Sequence, residues 1–210
     1  METIDVYWSF RSPYSYLATP DMVALERDYD VSVRLRVVYP IAIRAPEFFD
    51  KSKEPWMRYI QRDWVRRAEF LGMPVNWPQP DPIVQDLSTM QIAPDQPYIH
   101  RLSQLGVEAD RQGRGAAFAY EVSHTLFSGV KWDEGDHIAQ ACTRAGLGLA
   151  QMEAAIGDSH LAEIQTNQDG LQKSGHWGVP TFVFQKEPFF GQDRVETLRW
   201  RMDQKGIAKR

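Results

Sequence analysis

Residues Val6–Tyr16 read VYWSFRSPYSY, and this stretch decides the fold. Ile4, Val6, Trp8 and Phe10 alternate with Asp5, Tyr7 and Ser9, the period of a strand with one buried face. The alternation breaks at Arg11-Ser12-Pro13-Tyr14-Ser15. Pro13 suits a first helical position, where no amide donor is needed and φ is already fixed. Ser12 then stands just ahead of a helix, where free N–H groups and the positive dipole end favour an anion. Serine is also a preferred N-cap, so capping alone accounts for it equally well.

Working outward, Tyr14–Arg27 reads as helical, with Leu17, Met22, Val23 and Leu25 apolar. Pro20 predicts a kink or a fresh start there, because an interior proline loses a hydrogen bond and clashes with the preceding turn. Val31–Tyr39 is a β-branched run stopped by Pro40. Strand, helix, strand in this order is a βαβ unit with parallel strands and a right-handed crossover.

From Ile41 to about Ser174 no further strand is evident. Helices are expected over Lys53–Leu71 (stopped by Gly72), Gly115–Phe127, Asp136–Arg144, Leu149–Ile156 and Ser159–Ser174 (closed by Gly175). Six prolines between Pro74 and Pro97 predict a long ordered loop, a kind of segment that is often functional. Gly178–Phe184 is then a strand entered through Pro180, and Pro188–Phe190 a short edge strand. Gly191-Gln192-Asp193 opens a last helix that runs to about Met202. The chain therefore divides into a discontinuous α/β unit, 1–40 and 175–210, and a helical insertion, 41–174.

Composition narrows the function. The 210 residues are 43% apolar and 25% charged with a net charge of −4, which is ordinary for a globular chain and argues against a nucleic-acid footprint. No apolar run approaches the ~20 residues of a membrane span, and METIDVYWSF lacks a signal-peptide pattern, so a cytoplasmic location is expected. The lone Cys142 excludes an intramolecular disulfide and any Cys-x-x-Cys pair. The five histidines show no metal-ligand spacing.

Three motifs add a resemblance: SPYSYLA (Ser12–Ala18), GVPTFVF (Gly178–Phe184) and FFGQDRVETL (Phe189–Leu198). With the element order they make the chain similar to a thioredoxin fold carrying a large helical insertion. Within that fold it resembles the DsbA-like branch of 2-hydroxychromene-2-carboxylate isomerases and kappa-class glutathione transferases. The resemblance implies a cis Pro180, glutathione as cofactor and a homodimer. Ser12 and Ser15 stand where redox members carry cysteines, so dithiol exchange through this motif is excluded. Ser12 would instead donate a hydrogen bond to glutathione's thiolate, as an activator and not a nucleophile. Val179 and Pro180 would pair with the glutathione backbone, and Gln192 and Asp193 would hold its γ-glutamyl end. The alternative for Asp193 is an acidic first-turn residue facing the helix dipole.

The activity implied is glutathione-dependent isomerisation of a small aromatic or activated-alkene substrate. A kappa-like transferase and a non-catalytic thiol- or peptide-binding module are the alternatives. Arg11, Tyr14, Trp56 and His176 are candidates for the substrate pocket. The family's insertion commonly carries an Asn, and a Lys three residues before the Tyr that matches Tyr59. Here that Lys position is Trp56 and no Asn lies between Pro40 and Tyr59, which leaves Lys51 or Lys53 as substitutes in a shifted register.

Overall fold

The computed structural model describes residues 1–49, 54–86, 89 and 91–210. Four strands form one sheet in the order β2-β1-β3-β4: β1 (Glu2–Trp8), β2 (Val31–Val37), β3 (Thr181–Phe184) and β4 (Glu187–Phe190). β1 runs parallel to β2, with Val6 opposite Leu35, and antiparallel to β3, with Val6 opposite Phe182. Ile4, Val6 and Trp8 are buried beside Val33, Leu35, Val37, Phe182 and Phe184, so the period-two pattern becomes one continuous apolar face. The β3–β4 hairpin turns through Gln185 and Lys186, both at positive φ (48° and 71°).

α1 (Pro13–Asp28) runs through Pro20 without the expected restart. The reason is local. Pro20 cannot supply the N–H that would pair with the Tyr16 carbonyl four residues back, and the buried Thr19 hydroxyl donates to that carbonyl instead, at 2.7 Å.

The 41–174 stretch contributes α2 (Ile41–Arg44), a 3₁₀ turn (Pro46–Phe49), α3 (Glu54–Leu71), α4 (Pro97–Arg111), α5 (Gly115–Leu126), α6 (His137–Arg144), α7 (Leu149–Ala155) and α8 (Asp158–Lys173). α9 (Val195–Gln204) closes the chain. Gly72 and Gly175 end α3 and α8 at φ of 67° and 97°. α4, α5 and α8 lie directly on the sheet. A Cβ on Gly106 of α4 would come within 2.8 Å of Phe10 and Val37, and one on Gly115 within 2.7 Å of Leu35. Toward α8 the sheet presents Tyr7, whose hydroxyl would lie 2.6 Å from a Cβ on Gly170. Asn167 of α8 donates to the Val37 carbonyl at 3.1 Å.

α4 is absent from the sequence-based expectations, although it carries much of the core: Ile99, Leu102, Leu105 and Ala109 are buried. Asp110 anchors it by accepting from the Leu35 N–H (2.7 Å) and Arg34 Nε (2.9 Å). The last helix also departs from expectation at its start. Gln192–Arg194 forms a separate 3₁₀ turn, so Gln192 and Asp193 precede α9 and do not occupy its first turn. Among the described residues no helix is long and apolar enough to cross a membrane, and no group of His, Cys, Asp and Glu is arranged to hold a metal ion. Lys51 and Lys53 lie outside the described residues.

Candidate functional site

Ser12 sits at the N-cap of α1, where the chain leaves β1. Its Oγ accepts from the Ser15 N–H at 3.2 Å and donates to the Val179 carbonyl at 3.4 Å. The cap is real, but both bonds are long, so the hydroxyl can turn to another acceptor at small cost. Pro13 has no N–H, and the Tyr14 N–H meets no acceptor among the described residues. The start of α1 therefore keeps an unpaired donor beside the Ser12 hydroxyl.

The second serine of the motif differs. Ser15 is fully buried and its Oγ has no hydrogen-bond partner among the described residues. It packs into the base of the helix and does not face the site. Cys142 lies buried in α6, where desolvation pushes its thiol up to about 11, a value that suits packing and not thiolate chemistry.

Opposite Ser12 runs the loop before β3, and the Val179–Pro180 bond in it is cis, as the resemblance implies. Pro180 O accepts from the Gly191 N–H (2.9 Å), and Gly178 O from the Thr181 hydroxyl (2.7 Å). The Val179 N–H meets no acceptor among the described residues. Ser12, Val179 and Pro180, 167 and 168 residues apart in sequence, thus form one wall with free donors. An extended peptide could pair with Val179 while an anion sits at the start of α1. That fits the backbone and thiolate of a tripeptide thiol.

The remaining candidates take other positions. Gln192 Oε1 accepts from Arg67 Nε at 3.0 Å, which ties the 3₁₀ turn to α3. Asp193 is about half exposed and pairs with its neighbour Arg194 at 2.8 Å. Arg11, considered for holding an anionic substrate, forms a bidentate pair with Asp81 (2.8 and 2.9 Å) over the ring of Trp77. Asp81 also accepts from the Trp77 indole and the Ile83 N–H, so Arg11 clamps the proline-rich loop and its charge is already matched. Tyr14 donates to Asp63 of α3 at 2.6 Å. Burial and that bond to a carboxylate push its phenol pKa up, so it stays a neutral donor. Burial raises Asp63 in turn, but hydrogen bonds from Tyr14, Arg66 and Tyr59 outweigh it and hold its carboxyl below the usual range.

His176 and Trp56 fall in an aromatic row beside the cis-proline loop. Trp56 meets Phe48 edge-on (5.3 Å), Phe48 meets Trp177 (4.9 Å), and His176 stacks on Phe190 (3.8 Å) and Trp177 (5.3 Å). Desolvation lowers the His176 pKa, and the Gly178 N–H donates to Nδ1 at 2.8 Å. With Nδ1 accepting from the loop, His176 positions Gly178. Phe48, Trp177 and Phe190 were not singled out from sequence. Trp177 had a signal, since it directly precedes Gly178-Val179-Pro180, whereas Phe48 lies where no periodicity marks it.

Residues 3–203 match the DsbA-like thioredoxin domain family, and the chain belongs to it. A curated relative, the 2-hydroxychromene-2-carboxylate isomerase of Pseudomonas putida, is 22% identical over 202 residues, covering 93% of this chain and 91% of its own. Among solved structures, a 2-hydroxychromene-2-carboxylate isomerase superposes with a TM-score of 0.69 at 21% identity, covering 96% of this chain and 95% of the other. The cytosolic disulfide reductase DsbM of Pseudomonas aeruginosa with GSH superposes with a TM-score of 0.57 at 15% identity, covering 96% and 99%. At these identities the structural likeness concerns the fold.

Proposed function

We propose that this protein is a glutathione-dependent isomerase of the 2-hydroxychromene-2-carboxylate isomerase type, with Ser12 as the activator of the glutathione thiol. The observation that carries the reading is the Ser12 hydroxyl itself. It stands at a helix N-terminus where redox relatives place a thiolate, 3.4 Å from the carbonyl beside a cis proline. Glutathione, when bound, would supply a thiolate nucleophile for reversible addition to an activated double bond, with no net change in atoms.

The chain's own residues hold and poise that nucleophile. The Ser12 hydroxyl rotates from Val179 O to donate to the sulfur, and the unpaired Tyr14 N–H and the positive end of α1 favour its ionised form. The free Val179 N–H pairs with the extended peptide and fixes its register. Tyr14, locked onto Asp63, walls the side toward α3. Gln192 and Asp193 follow Gly191, whose N–H donates to Pro180 O, and are the groups assigned to the γ-glutamyl end.

Calorimetry with glutathione, followed by assay of chromene-carboxylate isomerisation with and without it, tests the reading. Binding and turnover that depends on glutathione are expected. Consumption of glutathione into a released conjugate would make the protein a transferase of the same fold instead. No heat at millimolar glutathione would remove both enzymes and leave a binding module.

A further inference from the structure

The 3₁₀ turn after β4 is tied to α3 by one side-chain bond, in which Arg67 Nε donates to Gln192 Oε1 at 3.0 Å. An arginine has only donors, so the Gln192 amide must turn its oxygen toward Arg67 and its NH₂ away. No acceptor among the described residues takes that NH₂ or the remaining N–H groups of Arg67. No carboxylate among them pairs with the Arg67 charge; the guanidinium rests on Phe70, 4.9 Å from the ring centre. Asp21 senses this charge, but its ion pair is with Arg199 at 3.8 Å. Asp193 and Arg194 match each other at 2.8 Å. Among the described residues around the turn, Arg67 is the cation left unmatched.

Its place follows from the helix. Asp63, one turn earlier on α3, accepts from Tyr14 at 2.6 Å, and Tyr14 stands just after Ser12 and Pro13. Residues four apart share a helix face, so one face of α3 meets the start of α1 through Asp63 and the 3₁₀ turn through Arg67. The two positions are about 6 Å apart along the axis, within the ~10 Å that three extended residues can span. From the other side, the Gly191 N–H donates to Pro180 O at 2.9 Å and joins the turn to the cis-proline loop, whose Val179 O is 3.4 Å from Ser12 Oγ. An unmatched guanidinium and an unpaired amide NH₂ side by side, at one end of such a groove, make a fork for a carboxylate.

We infer that Arg67 and Gln192 form a carboxylate receptor that decides which thiol peptides the site accepts. The guanidinium takes the α-carboxylate of a γ-glutamyl group, and Gln192, held in orientation by Arg67, adds the second donor. Asp193 meets the ammonium on the same carbon, since an exposed pair such as Asp193–Arg194 opens at small cost. Arg67 is thereby the specificity-determining residue of the groove. The inference rests on the thiol-peptide reading proposed above and adds to it a residue from α3.

The probes are glutathione and its decarboxylated analogue γ-aminobutyryl-cysteinylglycine, titrated into the full chain by calorimetry. Both keep the thiol, the peptide and the glycine carboxylate. Wild type should bind the analogue about ten- to a hundredfold more weakly, as for the loss of a hydrogen bond to a charged group. Arg67→Gln should bring glutathione down to the level of the analogue and leave the analogue unchanged. Gln192→Glu gives Arg67 a carboxylate of its own, which reinforces the tie between α3 and the turn but fills the receptor. It should erase the preference, whereas a purely structural tie would keep it, and it decides the matter if Arg67→Gln does not fold. Equal binding of the two peptides by wild type, equal weakening of both in Arg67→Gln, or an undiminished preference in Gln192→Glu would overturn the inference and leave the thiol site standing. No saturable binding of glutathione by wild type would overturn the thiol site, and this inference with it.

Discussion

Replacing Ser12 by glycine separates its cap from the activating role proposed for its hydroxyl. As an N-cap, Ser12 accepts from the Ser15 N–H at 3.2 Å, a long bond. Loss of a serine cap to alanine costs about 1 kcal/mol, and to glycine only a few tenths, because glycine leaves the backbone donors open to water. For a chain of this size about 1 kcal/mol moves the melting midpoint by about 2–4 °C. Ser12→Ala should therefore show that drop, and Ser12→Gly about a quarter of it. The activating role responds differently, since both variants lack the donor. A hydrogen bond to a charged acceptor contributes about 1.5–3 kcal/mol, and about 1.4 kcal/mol is one pH unit of thiol titration. The thiol of enzyme-bound glutathione, followed by the ultraviolet absorbance of the thiolate, should thus titrate about one to two units higher in either variant than in wild type. Turnover at neutral pH should fall in proportion, about ten- to a hundredfold. A bound thiol that titrates identically in wild type and Ser12→Gly would refute the reasoning and reduce Ser12 to a cap.

Three further outcomes are expected. The folded-state pKa of His176 lies below the ordinary 6.5, so its contribution to stability is present above that value and is lost as the pH falls through it toward the folded value. His176→Asn, which keeps an acceptor for the Gly178 N–H, should flatten the difference in melting midpoint between neutral and mildly acidic buffer; an unchanged slope would contradict the assignment. Tyr14→Phe breaks the 2.6 Å bond that joins α1 to α3 and leaves Asp63 with Tyr59 and Arg66. It should cost about 1–2 kcal/mol in a denaturant midpoint while leaving glutathione affinity within about twofold. Gly106→Ala would drive a methyl to within 2.8 Å of both Phe10 and Val37, and calorimetric unfolding should show a loss of about 1–3 kcal/mol from overpacking.

The parts of the fold that could be read from sequence are those whose cause is local. Period-two alternation marks β1 and β2, proline after serine marks the start of α1, and glycine marks the ends of α3 and α8. Pro20 misled because the rule is local while its remedy, the Thr19 hydroxyl on Tyr16 O, depends on a rotamer. α4 escaped because Pro97 read as the last residue of the proline-rich loop and not as the first of a helix, although Ile99, Leu102 and Leu105 keep a helical spacing. Glu108 and Asp110 are buried on the same helix. Their burial becomes intelligible only with partners from elsewhere: Leu35 and Arg34 for Asp110, and His160 with Gln112 for Glu108. The candidate site divides in the same way. Ser12, Val179 and Pro180 were legible as motifs, whereas the neutralisation of Arg11 by Asp81 is a contact across 70 residues that no spacing announces.

A Ser-x-x-Ser motif in sequence suggests two equivalent hydroxyls, and burial makes them unequal. Ser15 occupies the third helical position, where the side chain turns into the core, and its oxygen ends there without a partner among the described residues. Ser12 occupies the cap, where the chain has not yet turned and the side chain lies over the first amide donors. The same geometry lets a cysteine at the cap form a thiolate in redox relatives, because the field at the start of the helix acts on whatever anion sits there. With a hydroxyl in place of the sulfur, the field and the open Tyr14 N–H remain, and the negative charge must come from outside the chain. Loss of the cysteines therefore need not empty the site of chemistry. On the proposed reading the bearer of the thiolate changes, and the Val179 N–H, unpaired among the described residues and just across from Ser12, would hold the peptide on which that thiolate arrives.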